Sequence, residues 1–462
     1  MTTTPADAPI QADTAVLRAL RRIRSPQTLR NRELGLLIFA CLISAAAIVL
    51  VQLGALGQVD VTILTYSGGL TLLALGLHVV LRFRAPNADP FVLPIATLLT
   101  GLGIAEIYRI DIAFRYTGWA AYSTRQLAWA AIAIAGSILI VVFLRNYRVL
   151  FRFTYVFGFV GVLLLVLPLI PGLAINANAA VWVNLGIFSF QPGELAKIAL
   201  AIFFAGYLVR TRESLSSVGK RFLGITWPRA RDLGPLLVVW VISVGIIVAQ
   251  HDLGSGLLIF GMFVGMLYVA TGKTGWVLLG VAMAAGVAVA AAQVLPYVGA
   301  RFTNWLHAFD PSLINNSSYQ LAQGIFGMAH GGLLGTGLGQ GRPQITPLAQ
   351  SDYIFPSLAE ELGLVGAFAI LCLYMVFISR GLRVGIAGQD DFGKLLATGL
   401  SITIALQVFI MVGGVTRVIP LTGLTTPFLA AGGSSLVANW LIVAILLRIS
   451  DAVRRQPRAV IG

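Results

Sequence analysis

Two groups of ionisable side chains stand where an otherwise apolar chain tolerates few. The first closes a polar and glycine-rich segment running from Arg301 to Glu361, which ends in Ser351-Asp352-Tyr353-Ile354-Phe355 just before a new apolar run. A carboxylate at that border, under a long loop expected to face away from the cytoplasm, is placed to do chemistry on something presented at the membrane surface, with general-base work as one candidate role. The plain alternative is that Asp352 caps the following helix through a backbone N–H. A helix N-terminus would hold its pKa down, so work as a base requires partial desolvation to bring it back up. Glu360 and Glu361 follow two turns later. At about 100° per residue, Glu361 points away from Asp352 and Glu360 lies about 80° round, so Glu360 is the better candidate to share a cavity with it. A structural salt bridge is the other reading for either glutamate.

The second group is Gln191-Pro192-Gly193-Glu194-Leu195-Ala196-Lys197. Pro192 suits a first helical position, and Glu194 sits where the positive end of the helix dipole favours an anion. Lys197, three residues on, shares that face one turn deeper. A charge at the centre of a membrane helix costs roughly 2.5 to 3.5 kcal/mol on insertion scales, so both should point into a cavity. They read either as a charged floor for an anionic ligand or as an ion pair stapling helices.

Three further features carry less. Gly335-Thr336-Gly337-Leu338-Gly339 has a nucleotide-loop look, but no βαβ unit surrounds it. In Gln250-His251-Asp252-Leu253-Gly254, His251 reads as a hydrogen-bonded loop residue and Asp252 as a helix cap. Cys41 and Cys372 lie inside expected spans, too few for a disulfide framework or metal site, and read as packing residues.

The elements that must position these groups are membrane helices. With 58% hydrophobic and 11% charged residues, and a mean hydropathy of +0.88, the chain is too apolar for a soluble domain. It reads as an all-α polytopic bundle of about twelve spans, near 34–54, 61–82, 91–108, 124–144, 149–170, 193–209, 234–250, 254–271, 275–296, 353–379, 394–415 and 422–448. The net charge of +14 would fit nucleic acid only if it were clustered. Instead the basic residues fall between spans on one side, including Arg82, Arg84, Arg145, Arg148, Arg152, Arg210, Arg212, Arg380 and Arg383. That is the positive-inside pattern with both termini cytoplasmic, and it leaves little basic surface for nucleic acid. Arg109 and Arg115, in an expected outer loop, run against it. Residues 1–33 read as a disordered cytoplasmic tail without a cleavable signal, 34–450 as one transmembrane domain, and 451–462 as a second cytoplasmic tail. The outer loop 297–352 should carry a helix near Leu321–Met328 and fold back as a lid or cleft wall. No internal repeat is evident, which weighs against an inverted-repeat transporter.

At this point a family resemblance emerges. Phe190 to Lys197, Gln250 to Gly254, Ser318-Tyr319-Gln320, Gly331 to Gly339, Asp352 to Phe355 with Ala359 to Gly363, and Pro420 to Leu424 through Gly432 to Leu436 occur in the order expected of the SEDS family. From about residue 120 to 450 the chain resembles RodA/FtsW-type proteins. The resemblance implies a peptidoglycan glycosyltransferase that polymerises lipid II outside the cytoplasmic membrane and releases polyprenyl diphosphate. It implies Asp352 as the catalytic base, taking the proton of the acceptor GlcNAc 4-hydroxyl as that oxygen attacks and inverts the donor MurNAc carbon. Glu194, Lys197, Gln191, Trp182, Tyr319, Gln320 and Glu360 are its implied substrate-binding residues. The implied partners are lipid II, nascent glycan and a class B penicillin-binding protein within an elongation or division complex. No cofactor is called for outright; a divalent cation, Mg2+ or Mn2+, assisting the diphosphate is the one candidate.

The chain also departs from the family. Pro347-Leu348-Ala349-Gln350-Ser351 stands where Pro-Glu-x-His-Thr is usual, so no helper role for that Glu or His carries over. Ala180-Val181 replaces basic residues before Trp182, and Asn316-Ser317-Ser318-Tyr319-Gln320 replaces Gly-x-Gly-Tyr-Gln. Two extra amino-terminal spans resemble extended actinobacterial members. A lipid II flippase and a noncatalytic scaffold activating a penicillin-binding protein are the competing readings.

Overall fold

The computed structural model describes residues 26–61, 64–170, 172, 181–184, 189–216, 221–222, 225–226 and 234–455. These form a helical bundle: α1 (Pro26–Leu56), α2 (Gly69–Arg84), α3 (Val92–Phe114), α4 (Tyr122–Phe143), the single turn α5 (Val149–Arg152), α6 (Thr154–Val166), α7 (Pro192–Ser216), α8 (Gly234–Gln250), α9 (Leu253–Thr271), α10 (Thr274–Val294), α11 (Pro296–Leu306), α12 (Tyr319–Gly331), α13 (Ile354–Ala387), α14 (Asp391–Val415) and α15 (Gly433–Arg454). Two short hairpins, Val183–Asn184 with Ser189–Phe190 and Arg221–Phe222 with Ile225–Thr226, are the only strands among the described residues. Ten of the helices are long and apolar enough to cross a membrane, and shorter apolar helices at Thr154–Leu169 and Leu237–Gln250 fall where the other two spans are expected. Helices α3, α7, α14 and α15 are largely buried and make the centre, whereas α10 is mostly open. Exposed Phe39, Leu42, Phe159, Val281 and Phe368 give the bundle the apolar perimeter that a bilayer requires.

Three expected boundaries shift. The first helix starts at Pro26, inside the expected tail, because Arg30 and Glu33 are not solvated. Glu33 takes Arg30 at 2.6 Å and His78 Nδ1 at 2.7 Å, and Arg30 also donates to the Ala88 carbonyl. Residues 1–25 lie outside the described residues. At the far end α15 continues to Arg454, into the expected second tail, with Asp451 buried against Arg455 and Asn87; residues 456–462 are likewise outside. The expected span 422–448 begins only at Gly433. Pro420, Gly423, Pro427 and Gly432 keep the preceding segment non-helical, and it is held instead by Gln126 donating to the Ala430 carbonyl and by Ala431 N–H donating to the Gln350 carbonyl.

The glycine-rich run serves the backbone. Helix α13 breaks at Gly363 (φ 70°), freeing carbonyls before the break and amides after it. Thr336 and Gly337 N–H donate to the Glu360 and Glu361 carbonyls at 3.0 and 2.9 Å, while Leu364 and Val365 N–H donate to the Gly332 and Leu333 carbonyls. A side chain at Gly335 (φ +86°) would strike the Glu361 carbonyl at 2.2 Å, which is why glycine stands there. Irregular backbone at membrane depth survives because protein satisfies it. Cys41 is buried as expected, but Cys372 is exposed on α13, so it is not a packing residue.

Candidate active site

Asp352 sits at the end of a turn, not in a cap. Leu348 adopts φ 56°, and its carbonyl accepts both Ser351 N–H and Tyr353 N–H at 3.0 and 3.2 Å. The chain therefore enters α13 with Tyr353 in the cap position, and no side chain caps the helix. The capping alternative for Asp352 is thus overturned. Tyr353 is fully buried beneath α12, where Gly324 leaves room for its ring. That contact fixes the helix entry and leaves the half-buried Asp352 beside the 301–350 segment.

Desolvation is the largest influence on Asp352 and raises its pKa from 3.8 to about 6. The Ser351 hydroxyl and the Arg301 guanidinium pull the other way, and the Asp252 carboxylate adds to the rise. Asp252 caps α9, accepting Ser255 N–H at 3.0 Å. Its own pKa is raised by burial foremost, lowered by Ser255 and Arg301, and raised by Glu194. Arg301, on α11, is aimed by its bond to the Leu421 carbonyl at 2.7 Å. Arg301 of α11 thus acts on both Asp352, ahead of α13, and Asp252, ahead of α9, while Glu194 of α7 acts on Asp252.

Glu194 and Lys197 point inward, as the cost of exposing them to lipid demands. They are buried and 2.6 Å apart, although the contact is not directed as a hydrogen bond. Lys197 Nζ donates instead to Gln407 Oε1 at 2.8 Å and Asn439 Oδ1 at 3.4 Å. Gln407 passes a bond to the Thr425 carbonyl, and the Thr425 hydroxyl and Asn439 meet at Ser435 Oγ. Gln191 N–H donates to Ser434 Oγ at 2.9 Å, fixing the start of α7 on α15.

Glu360 is engaged elsewhere. It accepts Arg342 N–H at 2.9 Å and lies 3.3 Å from His330 Nδ1, so it tethers the loop, while the charges acting on Asp352 are Arg301 and Asp252. Glu361 points the other way, as the helical angle requires, and takes Arg109 Nε at 3.1 Å and Gly339 and Gly341 N–H at 2.8 and 3.2 Å. This pair accounts for Arg109 on the expected outer side: the arginine is spent inside the protein. Gln320 donates to the Pro347 carbonyl at 3.0 Å, Tyr319 opens α12 half-buried, and Trp182 is half-buried beside the Val183–Asn184 hairpin. Sequence reasoning missed Arg301, Gln407 and Asn439. Arg301 had a usable signal, since a basic residue on the expected outer face defies the positive-inside pattern.

The chain matches the cell cycle protein family of FtsW, RodA and SpoVE over residues 90–455. It is 45% identical to peptidoglycan glycosyltransferase RodA of Mycobacterium tuberculosis (strain H37Rv), with 93% of this chain and 92% of that protein covered. Stage V sporulation protein E of Bacillus subtilis is 33% identical, with 79% and 98% covered. Among solved structures, Thermus thermophilus rod shape determining protein RodA superposes with a TM-score of 0.56 at 22% identity, covering 80% of this chain and 98% of that one. A chain from a peptidoglycan synthase complex coordinating polymerization and crosslinking gives 0.54 at 25% identity, covering 85% and all of that chain. With the site motifs in place and most of the chain matched, this protein belongs to the FtsW, RodA and SpoVE family of cell cycle proteins.

Proposed function

We propose that this chain is a peptidoglycan glycosyltransferase that polymerises lipid II at the outer face of the cytoplasmic membrane. The observation that carries the reading is Asp352: a half-buried carboxylate with a pKa near 6, ionised at neutral pH yet basic enough to take a proton. The acceptor sugar hydroxyl loses its proton to Asp352 as its oxygen bonds to the donor anomeric carbon, and polyprenyl diphosphate leaves from the opposite face. Arg301 offers positive charge to the departing diphosphate. The buried Lys197–Glu194 pair holds α7 beneath the site.

A divalent cation is the one cofactor to weigh. Among the described residues no group of three or more His, Cys, Asp or Glu is gathered to hold a metal. Asp252 and Asp352 supply two carboxylates, which suits Mg2+ or Mn2+ bound mainly through diphosphate oxygens and water. Such an ion would neutralise charge on the leaving group.

The greater identity to RodA than to the sporulation relative favours a role in cell elongation over sporulation. A class B penicillin-binding protein is the proposed partner, since new glycan must be cross-linked where it emerges; the resemblance to a chain of a peptidoglycan synthase complex supports this. Incubating purified lipid II with the purified chain and that partner tests the activity. Glycan strands that form independently of the partner's transpeptidase activity are expected. Transbilayer movement of lipid II without polymer would favour a flippase, and partner activation without polymer would favour a scaffold.

A further inference from the structure

At the end of α13 remote from Asp352, a cavity of about 560 Å³ opens between α1 and the start of α3. Leu29, Arg32, Gly35 and Leu36 of α1 form one wall, and Pro90, Phe91, Arg380 and Arg454 form the other. Three guanidiniums thus meet in one concavity. Asp89, fully buried, is their nearby counter-charge: it pairs with Arg454 and stands 3.9 Å from Arg380 Nε. Arg380 is further fixed over the Phe91 ring, 3.9 Å from its centroid. Arg32 is exposed and has no carboxylate partner among the described residues. One acid against three bases leaves the cavity positive, with two of its arginines held in place before any ligand arrives.

The remaining wall is apolar. Leu29, Leu36 and Phe91 are only partly buried, and Ile38 and Phe39 continue the α1 surface outward as an exposed apolar face. An oxyanion seated among the arginines would therefore have an acyl-compatible surface leading away from it, and guanidiniums favour phosphate through paired, charge-assisted hydrogen bonds. The cavity also lies on a seam. The family match starts at residue 90, so one wall belongs to the shared fold and the other to the additional amino-terminal helix. We propose that this cavity binds the headgroup of an anionic phospholipid, its phosphate between Arg32, Arg380 and Arg454 and a chain along Leu29 and Leu36, so that the lipid seals α1 onto the shared fold.

The test is native mass spectrometry of the full chain from micelles doped with phosphatidylglycerol or with phosphatidylcholine of the same chains. Retention of phosphatidylglycerol over phosphatidylcholine is expected. Arg32→Gln should weaken it about tenfold, the worth of roughly one charge-assisted hydrogen bond, and Arg32→Glu should weaken it further. Because Arg32 is exposed, neither variant should lower the unfolding temperature in lipid-free detergent, which confirms that the site and not the fold was lost. Equal retention of both lipids, or unchanged retention in both variants, overturns the proposal. Inorganic phosphate displacing phosphatidylglycerol at equal concentration would overturn the lipid assignment, since the apolar wall would then contribute nothing.

Discussion

Lys197 Nζ lies 2.6 Å from Glu194 Oε2 with both side chains buried, and the ammonium is shared with Gln407 and Asn439 on two other helices. Removing one partner of a buried pair costs about 3 to 5 kcal/mol because the other is left uncompensated. Lys197→Met alone should therefore lower both stability and turnover. Lys197→Met with Glu194→Gln should restore the unfolding temperature to near wild type. If the pair only staples helices, the double variant regains activity with its stability; if it belongs to the catalytic cavity, the double variant is folded and slow. Thermal unfolding and glycan assays on the same preparations separate the two.

The Arg301 charge acts on Asp352 and lowers its pKa against the dominant desolvation. A base must be ionised to work, so turnover should rise with pH through about 6 and level off above it. Arg301→Gln removes the lowering influence, and the rising limb should move to higher pH as well as the plateau falling. A limb that stays in place while only the plateau drops would mean that Arg301 serves substrate alone.

Stability has the opposite sign. Folded Asp352 holds its proton up to about pH 6, while the ordinary value is 3.8, so the folded state binds the proton more tightly and loses stability as pH rises between those values. Asp352→Asn should therefore match or exceed wild type in unfolding temperature at pH 7.5, with the difference closing as pH falls below 6 towards 4. A variant less stable at pH 7.5 would contradict this account of its environment.

Arg109 and Glu361 lock the glycine loop into the break of α13. Glu361→Ala frees two loop amides and leaves Arg109 with only the Gly341 carbonyl and the neighbouring buried Glu106, so a loss towards the lower end of about 3 to 5 kcal/mol is expected. Gly335→Ala should be comparably damaging, because its Cβ would lie 2.2 Å from a backbone carbonyl that has no room to move. Unfolding curves of both variants check this; near-wild-type stability in either would mean the loop rests on the bundle without holding it.

The proposed orientation rests on charge placement and is open to a direct test. With Cys41 and Cys372 replaced, a cysteine at Ser317 should react with an impermeant thiol reagent in intact cells, and one at Ser217 should not. Labelling at Ser217 would invert the topology.

The helix pattern was legible because apolar run length answers directly to bilayer thickness. The Glu194–Lys197 pair was legible for the same reason, since lipid leaves such charges nowhere to point but inward. Other features depended on three dimensions. The segment before Gly433 is apolar enough to pass for helix, and only its tertiary partners show how its prolines and glycines are accommodated. Glu360 was expected beside Asp352 from helical angle alone, but angle does not reveal that Arg342 from the loop and His330 from the end of α12, 18 and 30 residues earlier, reach it. The cap at Asp352 failed because one left-handed residue, Leu348, redirects the chain ahead of the helix.

Asp352→Asn tests the central claim most directly. The substitution preserves size, and with no cap to lose it removes only the proton acceptor. General-base catalysis typically contributes about 10² to 10⁴-fold, so polymerisation of lipid II by the purified variant should fall by at least that order while folding and partner binding stay intact. Glycan synthesis at a near-normal rate by purified Asp352→Asn protein, free of other polymerases, would contradict the assignment of Asp352 as the base.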